Sequence, residues 1–270
     1  MRRDYYIVGI YNQCDYWCDR CAFTRRCRNF SMGEELEERR GSARSDEENQ
    51  AKWDSVDAVF GQARKQLEEM AAERFDDVMS DLDDVQDEEE FERFQTEQDA
   101  FDREVGRHFV VKAAEAYRQA VAAWLEAVGP EVKEAADRLI AQEKFAPETG
   151  SAREEIGRLE ELFDIVSWYH TLLVPKVHRM ISGLLRLPEE AAWNDGSDVF
   201  GTGKLLLVSI DRSLSAWSQL LSAFPQQEDA ILGFLVRLDH LRRGIERAVP
   251  QARVFVRPGL DEPSAKFHTS

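Results

Sequence analysis

Residues Ser151 to Leu185 read SAREEIGRLEELFDIVSWYHTLLVPKVHRMISGLL. Ile156, Leu159, Leu162, Phe163, Val166, Tyr169 and Leu173 recur at steps of three and four, which sets them along one face of a helix. Ser151, with Glu154 three residues on, forms a capping box that starts it. Pro175 falls inside the pattern, yet Val177, Ile181, Leu184 and Leu185 continue the stripe beyond it. An interior proline removes one backbone donor and bends a helix. A stripe that survives the proline predicts one kinked helix rather than two.

Working outward, the same period recurs on both sides. Val105, Phe109, Ala113, Ala116, Tyr117, Ala120, Trp124 and Val128 form a stripe that Gly129-Pro130 is expected to stop. A shorter helix then runs from Pro130 to about Phe145. After Pro188 to Gly203, a polar loop, a helix is predicted from about Lys204 to Phe224 through Leu206, Leu207, Ile210, Leu214, Trp217 and Leu221. Pro225, Glu228 and Asp229 start the last helix, placing acid at its positive end. Its face is Ile231, Phe234, Leu235, Leu238, Leu241, Ile245 and Val249, and Pro250 closes it. Upstream, Trp53 to Leu82 carries a long helical stripe, and Phe91, Phe94 and Phe101 punctuate a charged stretch. Strand signals amount to Tyr5 to Ile10 and Val254 to Val256 at most. The expectation is an all-α, antiparallel bundle of about six helices, since short connections make neighbours antiparallel.

In front of that bundle stands a different kind of segment. All four cysteines lie between Tyr11 and Cys27, at Cys14, Cys18, Cys21 and Cys27, spaced C-x3-C-x2-C-x5-C. The chain therefore divides into a cysteine metal-binding module (1–30), a polar linker or exposed turn of helix (31–50), the bundle (51–250) and a polar C-terminal tail (251–270). The chain length of 270 residues is ample for a sizeable core.

Charge and hydropathy narrow the role. The formal net charge is −17, and Asp81 to Glu104 holds twelve acids against two arginines, a surface that repels phosphate backbones. The first thirty residues lean the other way, with six arginines and three aspartates. No apolar run reaches the roughly twenty residues that span a bilayer, and no signal peptide is read at the N-terminus. A cytoplasmic protein with reduced thiols is expected, which argues against two disulfides.

Four thiols within fourteen residues point to a metal or cluster. On a helix Cys14, Cys18 and Cys21 would share a face, and the chain would have to turn near Thr24 to bring Cys27 in. The competing reading, a buried core stripe, sits poorly with Asp15, Asp19, Arg20, Arg25, Arg26 and Arg28 beside the thiols. The arginines are expected to stabilise thiolates. Structural zinc sites usually pair two C-x2-C knuckles, whereas here there is one, with no Gly or Pro between Cys14 and Cys27. Three closely spaced cysteines with a fourth favour a [4Fe–4S] cluster over Zn2+. Tyr11, Tyr16, Trp17 and Phe23 are candidates to shield it.

Three resemblances follow from these residues. Cys14-x3-Cys18-x2-Cys21 has the spacing of radical-SAM enzymes, but Arg20 stands where that family prefers an aromatic and the barrel strands are missing. Cys18-x2-Cys21-x5-Cys27 resembles the cluster staple of some RecB-family nucleases. The nuclease E-x-K is matched only by Glu131-Val132-Lys133, in a predicted helix, so only the cluster inference carries over. The whole chain is similar to a family of uncharacterised bacterial proteins sharing Tyr-Asn-x-Cys-Asp-x-Trp-Cys-x-Arg-Cys-x-Phe-Thr-x-Arg-Cys. That resemblance extends to Trp168-Tyr169, Asp211-Arg212-Ser213 and Phe255 to Gly259, and it implies no activity.

Other candidates carry less chemistry. A pocket at the Pro175 kink, with Asp164, His170, His178 and Asp211, would be the place for an enzymatic role, which the sequence leaves open. No Glu-x-x-His pair of a di-iron bundle occurs. Gly201-Thr202-Gly203-Lys204 before a helix suits an anion but lacks the phosphate-loop frame. Functionally the reading is a metal-binding helical protein, the cluster serving redox, sensing or structural use, with a zinc-bearing interaction scaffold and an unidentified protein partner as the alternative.

Overall fold

The computed structural model describes residues 6–41, 86–145, 151–190 and 195–261. Among these residues there are six α-helices and no strand. They are α1 (Arg28–Gly41), α2 (Gln86–Arg107), α3 (Phe109–Phe145), α4 (Ser151–Glu190), α5 (Ser197–Ala223) and α6 (Glu228–Ala248). The helix expected over Trp53 to Leu82 lies outside the described residues. No described helix is long and apolar enough to cross a membrane. The chain falls into two compact units, one of Met1–Arg20 with Asp102–Ser270 and the other of Cys21–Phe101.

The first unit is a four-helix bundle. Helices α3, α4, α5 and α6 pack each on the next, and α6 closes the ring on α3. Their directions follow from who meets whom. At one end His178 of α4 faces Glu115 of α3, Gly183 lies against Val199 of α5, and Gly244 of α6 lies against Phe109 and Val110 of α3. At the other end Trp124 of α3 meets Phe163 of α4, Trp217 of α5 and Phe234 of α6. Successive helices therefore run up, down, up, down, as short connections require.

The interior is what the helical period predicts, with shifts of detail. Val166, Tyr169, Leu173, Val177 and Ile181 of α4 are fully or almost fully buried, and α4 continues through Pro175 without a break. Helix α3 corrects two expectations. It passes through Pro130 instead of stopping at Gly129. Both residues and Glu126, whose carbonyl loses its partner to the proline, face solvent, so water replaces the missing donor. The buried stripe is also Val110, Val111, Ala114, Tyr117, Val121, Trp124 and Val128, leaving Phe109 half exposed. A break at His108 separates α2 from α3 and resets the face.

Helix α5 starts seven residues earlier than its predicted Lys204, at Ser197, so Gly201 and Gly203 are helical rather than loop. The expected loop shrinks from both sides, because α4 runs on to Glu190. Asp198 in the first turn of α5 complements the helix dipole. Segment 31–41 is helical within α1, and the charged stretch around Phe94 is helical within α2. The described part of the C-terminal tail is ordered against the bundle. Ala252 is fully buried, and Lys204 Nζ donates to Arg253 O at 2.8 Å.

Candidate metal centre

No α-helix forms between residues 6 and 27, so the cysteines do not share a helix face. Short 3-10 turns at Ile10–Asn12, Cys18–Arg20 and Thr24–Arg26 punctuate an irregular chain. The last of these is the turn expected near Thr24. Tyr16 breaks any helix at the first cysteine pair. Its φ of 57° is left-handed, which costs a non-glycine residue roughly 1–3 kcal/mol unless its surroundings hold it.

Those surroundings are a docking strap, residues 6–20, laid along α4 and α5. Asp15 is its anchor. Its Oδ2 accepts from Tyr169 OH at 2.8 Å and from Arg212 Nη1 at 3.0 Å, and its backbone O accepts from Trp168 Nε1 at 3.0 Å. Trp17 stacks on Trp168 with centroids 5.2 Å apart and meets Tyr169 edge-on. Arg20 lies over the Trp17 ring and pairs with Asp164 at 2.8 Å and Glu161 at 3.6 Å. At the other end Gln13 Nε2 donates to Ser197 O, and its side chain fills the space where a Cβ on Gly201 would stand 2.3 Å away. Two anchors flanking Tyr16 hold its unusual backbone in place.

The C-terminal segment clasps the same strap. Arg257 donates to Gln13 O at 3.4 Å while its guanidinium grips Asp261. Burial opposes the Asp261 charge, but the Arg257 bonds outweigh it and hold the carboxyl below its usual range. Gly259, with φ 73°, lets Ile7 approach to 2.5 Å of where its Cβ would be. Hence Gln13 and Asp15 of the N-terminal motif meet Trp168-Tyr169, Arg212 and Arg257, although up to 244 positions separate the partners. Burial pushes the Tyr169 phenol up to about 12, so at neutral pH it stays a donor to Asp15.

Cys14 and Cys18 belong to the bundle unit, and Cys21 and Cys27 to the second unit. None of the four forms a disulfide. Cys14 Sγ donates to Tyr11 O at 3.5 Å, and Phe23 N–H donates to Cys21 Sγ at 3.4 Å. Among the described residues no group of three or more His, Cys, Asp or Glu side chains is placed to hold a metal ion. The fit of a metal to these cysteines is therefore one of donor chemistry: four sulfurs outside any disulfide, one already accepting a backbone N–H.

Arg20 pairs with Asp164 and Glu161. Trp17 stacks on Trp168, and Tyr16 covers Lys176, whose Nζ is 4.4 Å from the ring centroid. The sequence sets Lys176 beside Pro175, but no spacing links it to Tyr16, 160 positions away.

The residues proposed around Pro175 do not converge. Asp164 binds Arg20, Asp211 binds Arg253, and His178 faces Glu115. The His170 ring bonds Val166 O, and burial lowers its pKa. Gly201 to Lys204 lie inside α5 rather than at its N-terminus, which removes the anion site expected there. Glu131 and Lys133 lie within α3, where Glu131 accepts from Gln227.

The chain matches no protein-family profile, no curated protein and no solved structure.

Proposed function

We propose that this is a metal-binding helical protein whose Cys14, Cys18, Cys21 and Cys27 hold a [4Fe–4S] cluster. The carrying observation is that four cysteines outside any disulfide occur within fourteen residues, on a segment whose first half is anchored to the bundle by Asp15. Nothing else in the docking demands cysteine. Asp15, Trp17, Gln13 and Arg20 make contacts that dock the strap. A cluster would supply one-electron redox chemistry or a cross-link that fixes the chain. The protein's own part is to seat the first two cysteines. Asp15 fixes the backbone beside Cys14, and Arg20 fixes the backbone after Cys18.

Ligation by thiolates would couple metal uptake to the folding of this segment. Reduced thiols imply a cytoplasmic setting. Similarity to the bacterial family sharing the cysteine motif belongs to the same proposal. Its support is that the three downstream segments carrying the resemblance all reach the strap.

Anaerobic purification followed by elemental analysis and visible absorption tests this. A brown protein with about four irons per chain is expected for the cluster. A colourless protein with one zinc replaces the cluster with a structural zinc in an interaction scaffold. Metal-free protein overturns the proposal.

A further inference from the structure

Asp15 bonds in two directions. Its Oδ1 accepts the Trp17 N–H at 3.3 Å, closing a turn around Tyr16, and the Cys18 N–H donates to Tyr16 O at 2.9 Å. Its Oδ2 and backbone O face the bundle, where Tyr169, Arg212 and Trp168 donate to them. One residue thus shapes the chain between Cys14 and Cys18 and also docks it. Tyr16, midway between those cysteines, has the left-handed φ of 57°. Such a backbone persists in a tyrosine only where the surroundings over-determine it. The bundle supplies those surroundings: Trp168 against Trp17, Lys176 under the Tyr16 ring, and the bonded pair of Tyr169 and Arg212 on Asp15. Among the described residues Arg212 bonds only Asp15 and Tyr169, and its side chain is 56% exposed. Core packing does not account for this arginine, whereas the strap does.

We propose that Arg212, together with Tyr169, positions the turn between Cys14 and Cys18, so that metal retention is controlled from α4 and α5 and metal occupancy in return holds the strap on the bundle. This rests on the metal-binding reading above. It adds to that reading two residues that lie more than 150 positions beyond the cysteine motif. Undocked, the turn loses the Tyr169, Arg212 and Trp168 bonds, and nothing from the bundle then opposes relaxation of the Tyr16 backbone. Ligands that must first be ordered bind more weakly than ligands held in place. A metal that the docked form holds better shifts the strap toward that form. The coupling is mutual, so whatever strengthens docking strengthens retention. Arg212 acts through Asp15 and is a positioning residue, not a ligand.

The test compares full-length wild type, R212A and Y169F, each purified anaerobically. Metal per chain is measured by elemental analysis before and after a fixed challenge with excess EDTA. Trypsin cleavage after Arg20 is timed by mass spectrometry in the metal-loaded and the metal-stripped, reduced proteins, alongside thermal melts. R212A should retain metal about fivefold less well, and its stripped form should be cut about fivefold faster than stripped wild type, the scale of one lost hydrogen-bonded tie. Its Tm should stay within a few degrees of wild type, since the side chain is half exposed. Y169F should shift both readouts the same way by less, and it carries the comparison if R212A melts far below wild type. In wild type, stripping the metal should itself speed the cut. If wild type carries no metal, the underlying reading and this inference fall together. If wild type carries metal and the variants retain it equally well, the inference alone falls. Weaker retention with unchanged cleavage of the stripped variants overturns it in favour of a direct effect of the arginine charge.

Discussion

Two knots hold the bundle unit, and they are made differently. The first is aromatic. Trp124, Trp217 and Phe234 meet with centroids 4.7–5.9 Å apart, and Phe163 stacks on Trp124. Its polar atoms are served internally, with Trp217 Nε1 donating to Tyr117 OH and Trp124 Nε1 to Gln227. The second is polar and lies at the surface. Asp15 gathers Tyr169, Trp168 and Arg212, and the Arg212 side chain is 56% exposed. The aromatic knot ties four helices together, whereas the polar knot ties one irregular strap to two of them. Stability resides in the first and the presentation of Cys14 and Cys18 in the second.

The sharpest way to break that comparison is to remove the aromatic knot. Trp217 is fully buried and touches rings from α3 and α6. Trp217→Ala should cost about 3–5 kcal/mol and lower Tm by on the order of 10 °C. The lost ring leaves a cavity and takes one hydrogen bond from the Tyr117 hydroxyl. A calorimetric melt within a degree or two of wild type would show that the knot does not carry the bundle.

Asp15→Ala attacks the other knot and should separate the two roles. It removes the side-chain bonds from Tyr169, Arg212 and the Trp17 N–H but leaves Arg212 and Tyr169 able to bond each other. With the exposed arginine partly compensated by water, the loss should be about 1–2 kcal/mol. The larger effect should be local. Trp17 should leave Trp168, and trypsin should cut after Arg20 faster than in wild type, while the helical circular dichroism stays unchanged. Unchanged cleavage would mean that the strap is held without its anchor.

The same contrast explains what could be read in the chain. Helices α4, α5 and α6 were legible because Val166, Tyr169 and Leu173, or Ile231, Phe234 and Leu238, repeat at the helical period and are buried as that period requires. Breakers misled where solvent compensates for them. Pro130 stops nothing because the surface there is wet, and Gly201 reads as loop although it is a helical residue that makes room for Gln13. The polar knot has no period at all. Tyr169 and Arg212 stand 154 and 197 positions from Asp15 along the chain. The cysteine motif stands out by composition, but nothing in its spacing revealed that Asp15, Trp17 and Arg20 serve docking, or that Lys176 lies beneath Tyr16.

The smallest expected effect refines the polar knot. Tyr169→Phe keeps the ring that Trp17 packs against and removes only the hydroxyl between Asp15 and Arg212. Asp15 keeps its direct bond to Arg212, so the cost should be about 1 kcal/mol. Its pH dependence is distinctive. The phenol titrates near 10 when unfolded and is raised by burial to about 12 when folded. A folded pKa above the unfolded one means that the contribution is intact below pH 10 and lost as pH climbs through about 12. Wild type should therefore hold a constant lead over Tyr169→Phe from pH 6 to 9, and the lead should shrink above pH 10. Tyr117, also buried with a raised pKa, is common to both proteins and cancels from the difference. A lead that stays constant into strong alkali would show that the hydroxyl is not buried in the knot, and the polar tie would reduce to Asp15 with Arg212 alone.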